Sequence, residues 1–400
     1  MQRFLLAALA SLTLAACDGG TLTDAAVAVP NGAAAQRAAV APAAPTVIVS
    51  GLEYPRGFTF GRDGAIYVAE AGTPLGNTVS TTGQCQQVPP PVGPSKGGHT
   101  GRISRVTMAG VRTTVVDGLP SSRNGNGAVS GVADVAFVDR EGSKANDDEA
   151  DDAADGGGAA AHGANLYALV LGGCSHGLPG DPSSVIRVGL NGTYTITADL
   201  SRWIKANPVK NPEPDDFEPD GDWYNLAARG NLLYAVEANQ GNLVSINPEN
   251  GQVRRVADVS ATENGHVVPT GLSVSRSDDD LYVGELTPFP SVPGAANVLV
   301  YAPNGQVERR VPGFSAIVGV ANDRSGTLYV LESFKCSAGP CFPNPGTGRV
   351  VRVSRNGTRD IVATGLIFPT GLRLGPDGAL YVSNHSYGPP HLGQIVRIPL

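Results

Sequence analysis

The sequence predicts an all-β protein, a six-bladed β-propeller closed by an N-terminal strand that completes the last blade. Three observations predict it. The first is a recurring phrase. Pro55-Arg56-Gly57 precedes Ile66-Tyr67-Val68-Ala69-Glu70, Pro269-Thr270-Gly271 precedes Leu281-Tyr282-Val283-Gly284-Glu285, and Pro369-Thr370-Gly371 precedes Leu380-Tyr381-Val382-Ser383-Asn384. Weaker copies of its second half begin at Leu166, Leu233 and Leu328. Six copies of one supersecondary unit imply a closed radial array that shares its core between neighbours. The second observation is that the two ends fit each other. The last unit stops one strand short, and residues 46–52 read like the outer strand at 360–366. The third is composition: 52 Gly and 31 Pro among 400 residues, with 16% charged, suit short strands joined by turns.

Taken in order, residues 1–17 read as an export signal. Arg3 precedes an apolar run from Phe4 to Ala16 that is too short to span a bilayer. The run closes as Leu14-Ala15-Ala16-Cys17, which resembles the bacterial lipobox and implies a lipidated Cys17 at the mature N-terminus. Asp18 after it resembles an inner-membrane retention signal. The expectation is a lipoprotein outside the cytoplasm, periplasmic or at the cell surface, that meets the membrane only through its anchor. Residues 18–45, rich in Ala, Pro and Gly, read as a tether.

The propeller then occupies 46–400, with units starting near Pro55, Gly131, Trp223, Pro269, Val318 and Pro369. Each unit shows apolar stretches separated by turn signals. In the sixth, Gly371 to Leu374 is the inner strand and Pro376-Asp377-Gly378 a tight turn, where glycine accepts positive φ. Residues 379–383 form the second strand and 394–398 the third. The N-terminal strand supplies the fourth, which removes an exposed edge. The long insertions at 71–100, 172–183, 286–296, 333–347 and 385–393 fall between second and third strands, so they emerge on one face. The 199–222 connection joins them there. Loops gathered at a channel mouth predict a binding surface.

The net charge of −7 is concentrated. Glu141, Asp147, Asp148, Glu149, Asp151, Asp152 and Asp155 face one base, Lys144, and their balance of −6 is nearly the whole total. This stretch, running on to 163, reads as a disordered acidic insert and lacks the ordered spacing of an EF-hand loop. The remainder is near neutral, with no basic stripe for nucleic acid. A monomer is expected. With Cys17 assigned to lipid, four cysteines remain. Cys336 and Cys341 bracket a short loop and suit a disulfide, and Cys85 and Cys174 sit in corresponding loops of neighbouring units.

The candidate chemistry lies at the end of the second strands. Glu70, Glu237, Glu285 and Glu332 occupy one repeated position there, with Asn384 in the sixth unit. Four carboxylates on the loop-rich end could hold Ca²⁺ or another divalent cation, helped by Asn225 and Asn239. The competing reading pairs each Glu with an arginine, Arg56 and Arg373 being at hand, or has it cap backbone N–H groups. Arg56, Asn225, Asn239, Asn384 and His385 are the candidate ligand-binding residues. The repeated Tyr is read as blade packing. No GxSxG, HExxH, Walker A or dinucleotide motif occurs in a suitable context.

The six units, with their Pro-x-Gly entry and Asp-Gly turn, resemble NHL-type six-bladed propellers. Val49-Ser50-Gly51-Leu52, Gly101 to Val106, Trp223 to Ala227, Tyr234 to Asn242 and Pro269 to Leu272 resemble the ScyD/ScyE family of exported propellers, over essentially 46–400. That resemblance implies fold and location. Gluconolactonase-type propellers, which hold a divalent cation near the axis, are the nearest enzymatic likeness. Glu53-Tyr54-Pro55 resembles their first Glu-x-Pro element, whereas Pro269-Thr270-Gly271 replaces their Pro-Asn-Gly and no later Asp stands near Ser383-Asn384. Virginiamycin B lyase-like propellers use a histidine near the channel, for which His266 is the candidate. The expectation is a noncatalytic module binding a small molecule or protein on its long-loop face. The alternative is a divalent-metal-dependent hydrolase, lactonase or lyase using the Glu cluster.

Overall fold

The computed structural model describes residues 42–73, 79–139, 164–189, 191–214, 217–260, 267–275 and 277–400. The signal, the lipidation site Cys17, most of the tether, the acidic insert and His266 lie outside the described residues.

Six antiparallel sheets form six blades, in chain order. Their inner strands are Pro55–Phe60, Val132–Asp139, Trp223–Arg229, Pro269–Val274, Ile317–Asn322 and Leu372–Leu374. Their second strands are Ile66–Glu70, Ala164–Val170, Leu232–Glu237, Leu281–Glu285, Leu328–Glu332 and Leu380–Asn384. The last blade is completed by Thr46–Leu52, which pairs antiparallel with Gly393–Ile398, Thr46 against Arg397 and Leu52 against Gly393. The closing strand therefore enters at the face opposite the long loops and leaves at the loop face.

The sequence units and the blades coincide because the phrase encodes both halves of each hairpin. The six repeated tyrosines are all buried, as packing residues should be. In the first and last blades the turn aspartate explains the phrase further. Asp63 accepts from the Tyr67 hydroxyl at 3.2 Å and from Arg105 on the third strand at 2.7 Å. Asp377 accepts from Tyr381 at 3.1 Å and Arg397 at 2.8 Å. Desolvation works against both carboxylates, but these donors and a backbone N–H hold them below the usual carboxylate range.

Two insertions carry more structure than loops. Within 71–100, the third strand of the first blade already starts at Lys96 and runs to Val106, 11 residues, and its neighbour Arg112–Arg123 has 12. Short strands Val79–Ser80 and Val129–Ser130 add to this extension on the loop face. The 199–222 connection holds a helix, Leu200–Ala206, whose N-cap Asp199 accepts from the Arg202 N–H at 2.8 Å. The Cys85–Cys174 disulfide ties the first blade's loop to the second's, and Cys336–Cys341 closes a turn in the fifth.

Val49 and Leu52 of the closing strand are buried with Phe58, Tyr381 and Ile395. Deleting residues 46–52 should bare the edge of Gly393–Ile398 and open this core. The expected outcome is a lower Tm and concentration-dependent association, read by calorimetry and light scattering; an unchanged monomer would contradict closure by this strand.

Candidate functional site

The axis is where inner strands from all blades converge, and its composition follows from crowding. Each complete inner strand bulges after its first residue or two, as the register shifts against its partner show. The third residue of each inner segment is Gly57, Asp134, Asn225, Gly271, Gly319 and Gly371. The glycines stand where neighbouring inner strands nearly touch. A Cβ on Gly371 would lie 2.7 Å from the Arg56 carbonyl oxygen. A Cβ on Gly57 would lie 1.8 Å from Asp134 Oδ1, so the space a side chain would need there already holds the Asp134 carboxylate.

Asp134 is fully buried and is held by three elements. Its oxygens accept the N–H groups of Val135 at 2.8 Å and Leu226 at 2.9 Å. Arg373 reaches it from the sixth blade, Nη2 to Oδ2 at 2.7 Å. The same nitrogen meets the Leu226 carbonyl at 3.0 Å and Asn225 Oδ1 at 3.3 Å. Burial pushes the Asp134 carboxyl up, and Arg373 and the two backbone N–H groups oppose that push. One ion pair thus locks the second, third and sixth blades at the axis. Nearer the loop face, Arg56 of the first blade lies over the Tyr224 ring of the third, 4.8 Å from its centroid.

The second-strand carboxylates do something else. Glu70, Glu237, Glu285 and Glu332 are all buried, each inside its own blade. Three accept a backbone N–H from the connection entering that blade: Glu70 from Glu53 at 2.6 Å, Glu237 from Asp222 at 2.9 Å, and Glu332 from Ser315 at 2.6 Å. Asn384 does the same for Ile367 at 2.7 Å. The rest of each carboxylate faces the third and fourth strands. Arg112 Nη2 reaches both Glu70 oxygens at 2.7 and 2.8 Å, and Arg349 pairs with Glu332. In the other two blades an asparagine stands between. Asn297 donates to Glu285 at 2.6 Å and accepts from Arg310 at 2.9 Å; Asn242 donates to Glu237 at 3.2 Å and accepts from Arg255 at 2.9 Å.

The expectation of four glutamates gathered round one cation is therefore corrected. Second strands lie one layer out from the axis, and their terminal carboxylates turn into their own sheets to serve as latches. Among the described residues no group of three or more His, Cys, Asp or Glu side chains is placed to hold a metal ion. The arginines that serve them are Arg112 and Arg349 directly and Arg255 and Arg310 through asparagine, not Arg56 or Arg373.

Of the candidate ligand residues, Arg56 and Asn225 are brought to the axis. Asn239 lies away in a loop, where its Oδ1 accepts the Glu218 N–H at 2.8 Å. Asn384 is a latch. His385 adopts φ 57° beside it, its backbone N–H donating to the Ile367 carbonyl at 2.7 Å, and burial lowers its ring pKa. Sequence reasoning missed Asp134 and Tyr224. The signal for Asp134 was present, since Asp134 and Asn225 break the glycine pattern at the third inner position.

No family model matches the chain, and no curated protein does. Solved structures match its fold. A gluconolactonase from Xanthomonas campestris is 11% identical, with a TM-score of 0.50 over 92% of this chain and 93% of that one. A protein of unknown function from Bacteroides thetaiotaomicron is 12% identical, with a TM-score of 0.51 over 89% and 72%. The PQQ-bound aldose sugar dehydrogenase from Streptomyces coelicolor is 12% identical, with a TM-score of 0.49 over 90% and 99%. The first two are similar to this chain in fold, and at such identities the likeness concerns the fold alone.

Two predictions follow from this geometry. Replacing Arg373 by Met leaves Asp134 buried without its cation, which should cost about 3–5 kcal/mol in urea unfolding. Adding Asp134→Asn should recover much of that loss, because the charge needing a partner is gone; simple additivity of the two changes would refute the pairing. The second concerns Glu237, which meets only neutral donors and is pushed up to about 7 by burial. Its carboxyl ordinarily titrates at 4.5, so its contribution to stability is full below that value and is lost as pH rises through about 7. The loss should reach up to about 3 kcal/mol, and Glu237→Gln should flatten this part of the stability–pH profile.

Proposed function

We propose that this chain is an exported propeller of the ScyD/ScyE type, held at a membrane by lipid on Cys17, that binds a ligand or protein partner on its long-loop face and catalyses no reaction. The observation that carries the reading is the use made of the four glutamates. Their oxygens accept hydrogen bonds from N–H and guanidinium groups of their own blades, and a carboxylate engaged in this way serves the scaffold. The loop face supplies contact surface instead. Phe289, Val292, Phe342, Tyr387 and Leu392 are exposed there, on the second-to-third-strand loops of the fourth, fifth and sixth blades. The two disulfides among these loops support a place in an oxidising compartment.

The test uses the full chain in detergent micelles against a panel of small metabolites and lactones, with and without calcium. A bound metabolite should raise Tm in proportion to the logarithm of its concentration, with no turnover of any lactone. Calcium-dependent lactone hydrolysis abolished by Glu70→Gln would overturn the noncatalytic reading. The wild type should also take up labelled palmitate and Cys17→Ala should not; equal labelling of both would remove the anchor assignment.

A further inference from the structure

Three features of the loop face stand outside the scaffold: the exposed apolar loop tips, the knot that buried Ser175 and Asp220 form with exposed Lys205, and Arg56. The loop tips show nothing of what covers them. The knot is internally satisfied, since Asp220 accepts from the Ser175 N–H at 3.0 Å, from its hydroxyl at 2.8 Å and from Lys205. Arg56 differs from both. It stands on an inner strand at the axis, partly exposed, and its guanidinium makes no side-chain hydrogen bond and no ion pair with any described residue. Four other axial or latch arginines, Arg112, Arg255, Arg349 and Arg373, all donate to protein acceptors.

Arg56 is nonetheless held in place. Its guanidinium lies over Tyr224, and the adjoining Gly57 packs closely against the Asp134 carboxylate. A guanidinium stacked on an aromatic face keeps its in-plane N–H edge free, because the ring occupies only the perpendicular direction. That edge is a planar fork of donors at the spacing of two carboxylate oxygens. The Tyr224 ring comes from across the second blade, so the fork is fixed at the axis on the loop-face side of the Asp134–Arg373 pair. Burial raises the pKa of the Tyr224 hydroxyl; Arg56 opposes that rise, and Asp222, two residues from Tyr224, adds to it. The Arg373 charge is already matched by Asp134, so Arg56 is the cation left to answer an incoming anion.

We infer that the axial mouth binds a small carboxylate-bearing molecule, with the Arg56 guanidinium, pre-set on the Tyr224 ring, as its anchor. The inference rests on the ligand-binding reading above and names the chemistry of the ligand. The fork suits carboxylate and phosphate oxygens alike, and its single positive charge is matched in full by a monoanionic carboxylate.

The experiment follows the Arg56 Nε–H signal of the full chain by nitrogen-15 NMR while acetate, benzoate and inorganic phosphate are titrated in separate series at constant ionic strength. Acetate and benzoate should shift that signal saturably, benzoate more tightly because its ring adds apolar contact. Arg56→Gln should weaken benzoate binding by at least about tenfold, read by calorimetry, and Arg56→Lys should fall between. Both variants should retain the wild-type circular dichroism with at most a small fall in Tm, because the side chain makes no hydrogen bond to the described scaffold and only its stacking on Tyr224 is lost. A silent Arg56 signal, or a shift with phosphate but not with carboxylates, would overturn the inference. If a metabolite from the thermal panel binds the wild type and Arg56→Gln equally, the carboxylate anchor fails while the binding reading stands; if no metabolite binds and the carboxylates are silent, both fail.

Discussion

The structure depends on how little room there is where six strands meet. Inner strands of adjacent blades approach at the axis until backbone nearly touches backbone, which is why four of the six blades place glycine at the third inner position. The other two place Asp134 and Asn225 there, and the carboxylate occupies the space that a side chain on Gly57 would need. A charge in such a place must be matched, and the match comes from Arg373 on a blade that is not its sequence neighbour. The pair, with the Leu226 N–H and carbonyl, converts steric crowding into a specific bond between the second, third and sixth blades. An isolated buried pair adds little net stability over an apolar filling, because desolvation offsets the attraction. Its contribution here is to angular order, fixing which blades face one another across the axis.

A second device works one layer further out. Every blade must turn the chain from its predecessor's outer strand to its own inner strand, and the first backbone groups of that return are taken from water. The polar residue that ends the second strand accepts an N–H from this return in four of the blades. A carboxylate suits the task because it has lone pairs left over for the third and fourth strands. Burial alone would neutralise it, so arginine supplies charge directly in the first and fifth blades and through asparagine in the third and fourth. The same residue type at the same position therefore reflects a recurring demand of the fold, which is what repetition in a repeat protein selects first.

This explains what could be read from sequence and what could not. The hairpins, the blade boundaries and the closing strand were legible because period, turn residues and strand patterns are local or depend on one long-range match, 46–52 with 360–366. Both disulfides were legible, Cys336–Cys341 from its short spacing and Cys85–Cys174 from loop correspondence. The glutamates were found, and the reading that they pair with arginine or cap N–H groups was among the expectations, but the particular arginines were not. A repeat locates a residue within its strand, whereas the choice between the axis and the sheet depends on partners such as Arg112 and Asn297, which sit at unequal distances along the chain. Asp134 escaped because it breaks the pattern, and attention to a repeat favours its regular members. Tyr224 escaped because its significance lies in Arg56, two blades away, and no spacing records that meeting.

The polarity of the closing strand carries a further consequence. Thr46 lies at the end of its blade with Arg397, and just before it the Ala43 N–H donates to the Val362 carbonyl on the outer strand of the fifth blade. The chain thus joins the propeller from below and from the rim. Thr46 and the long loops therefore stand on opposite faces of the propeller, so a probe placed at Thr46 would leave the loop face uncovered.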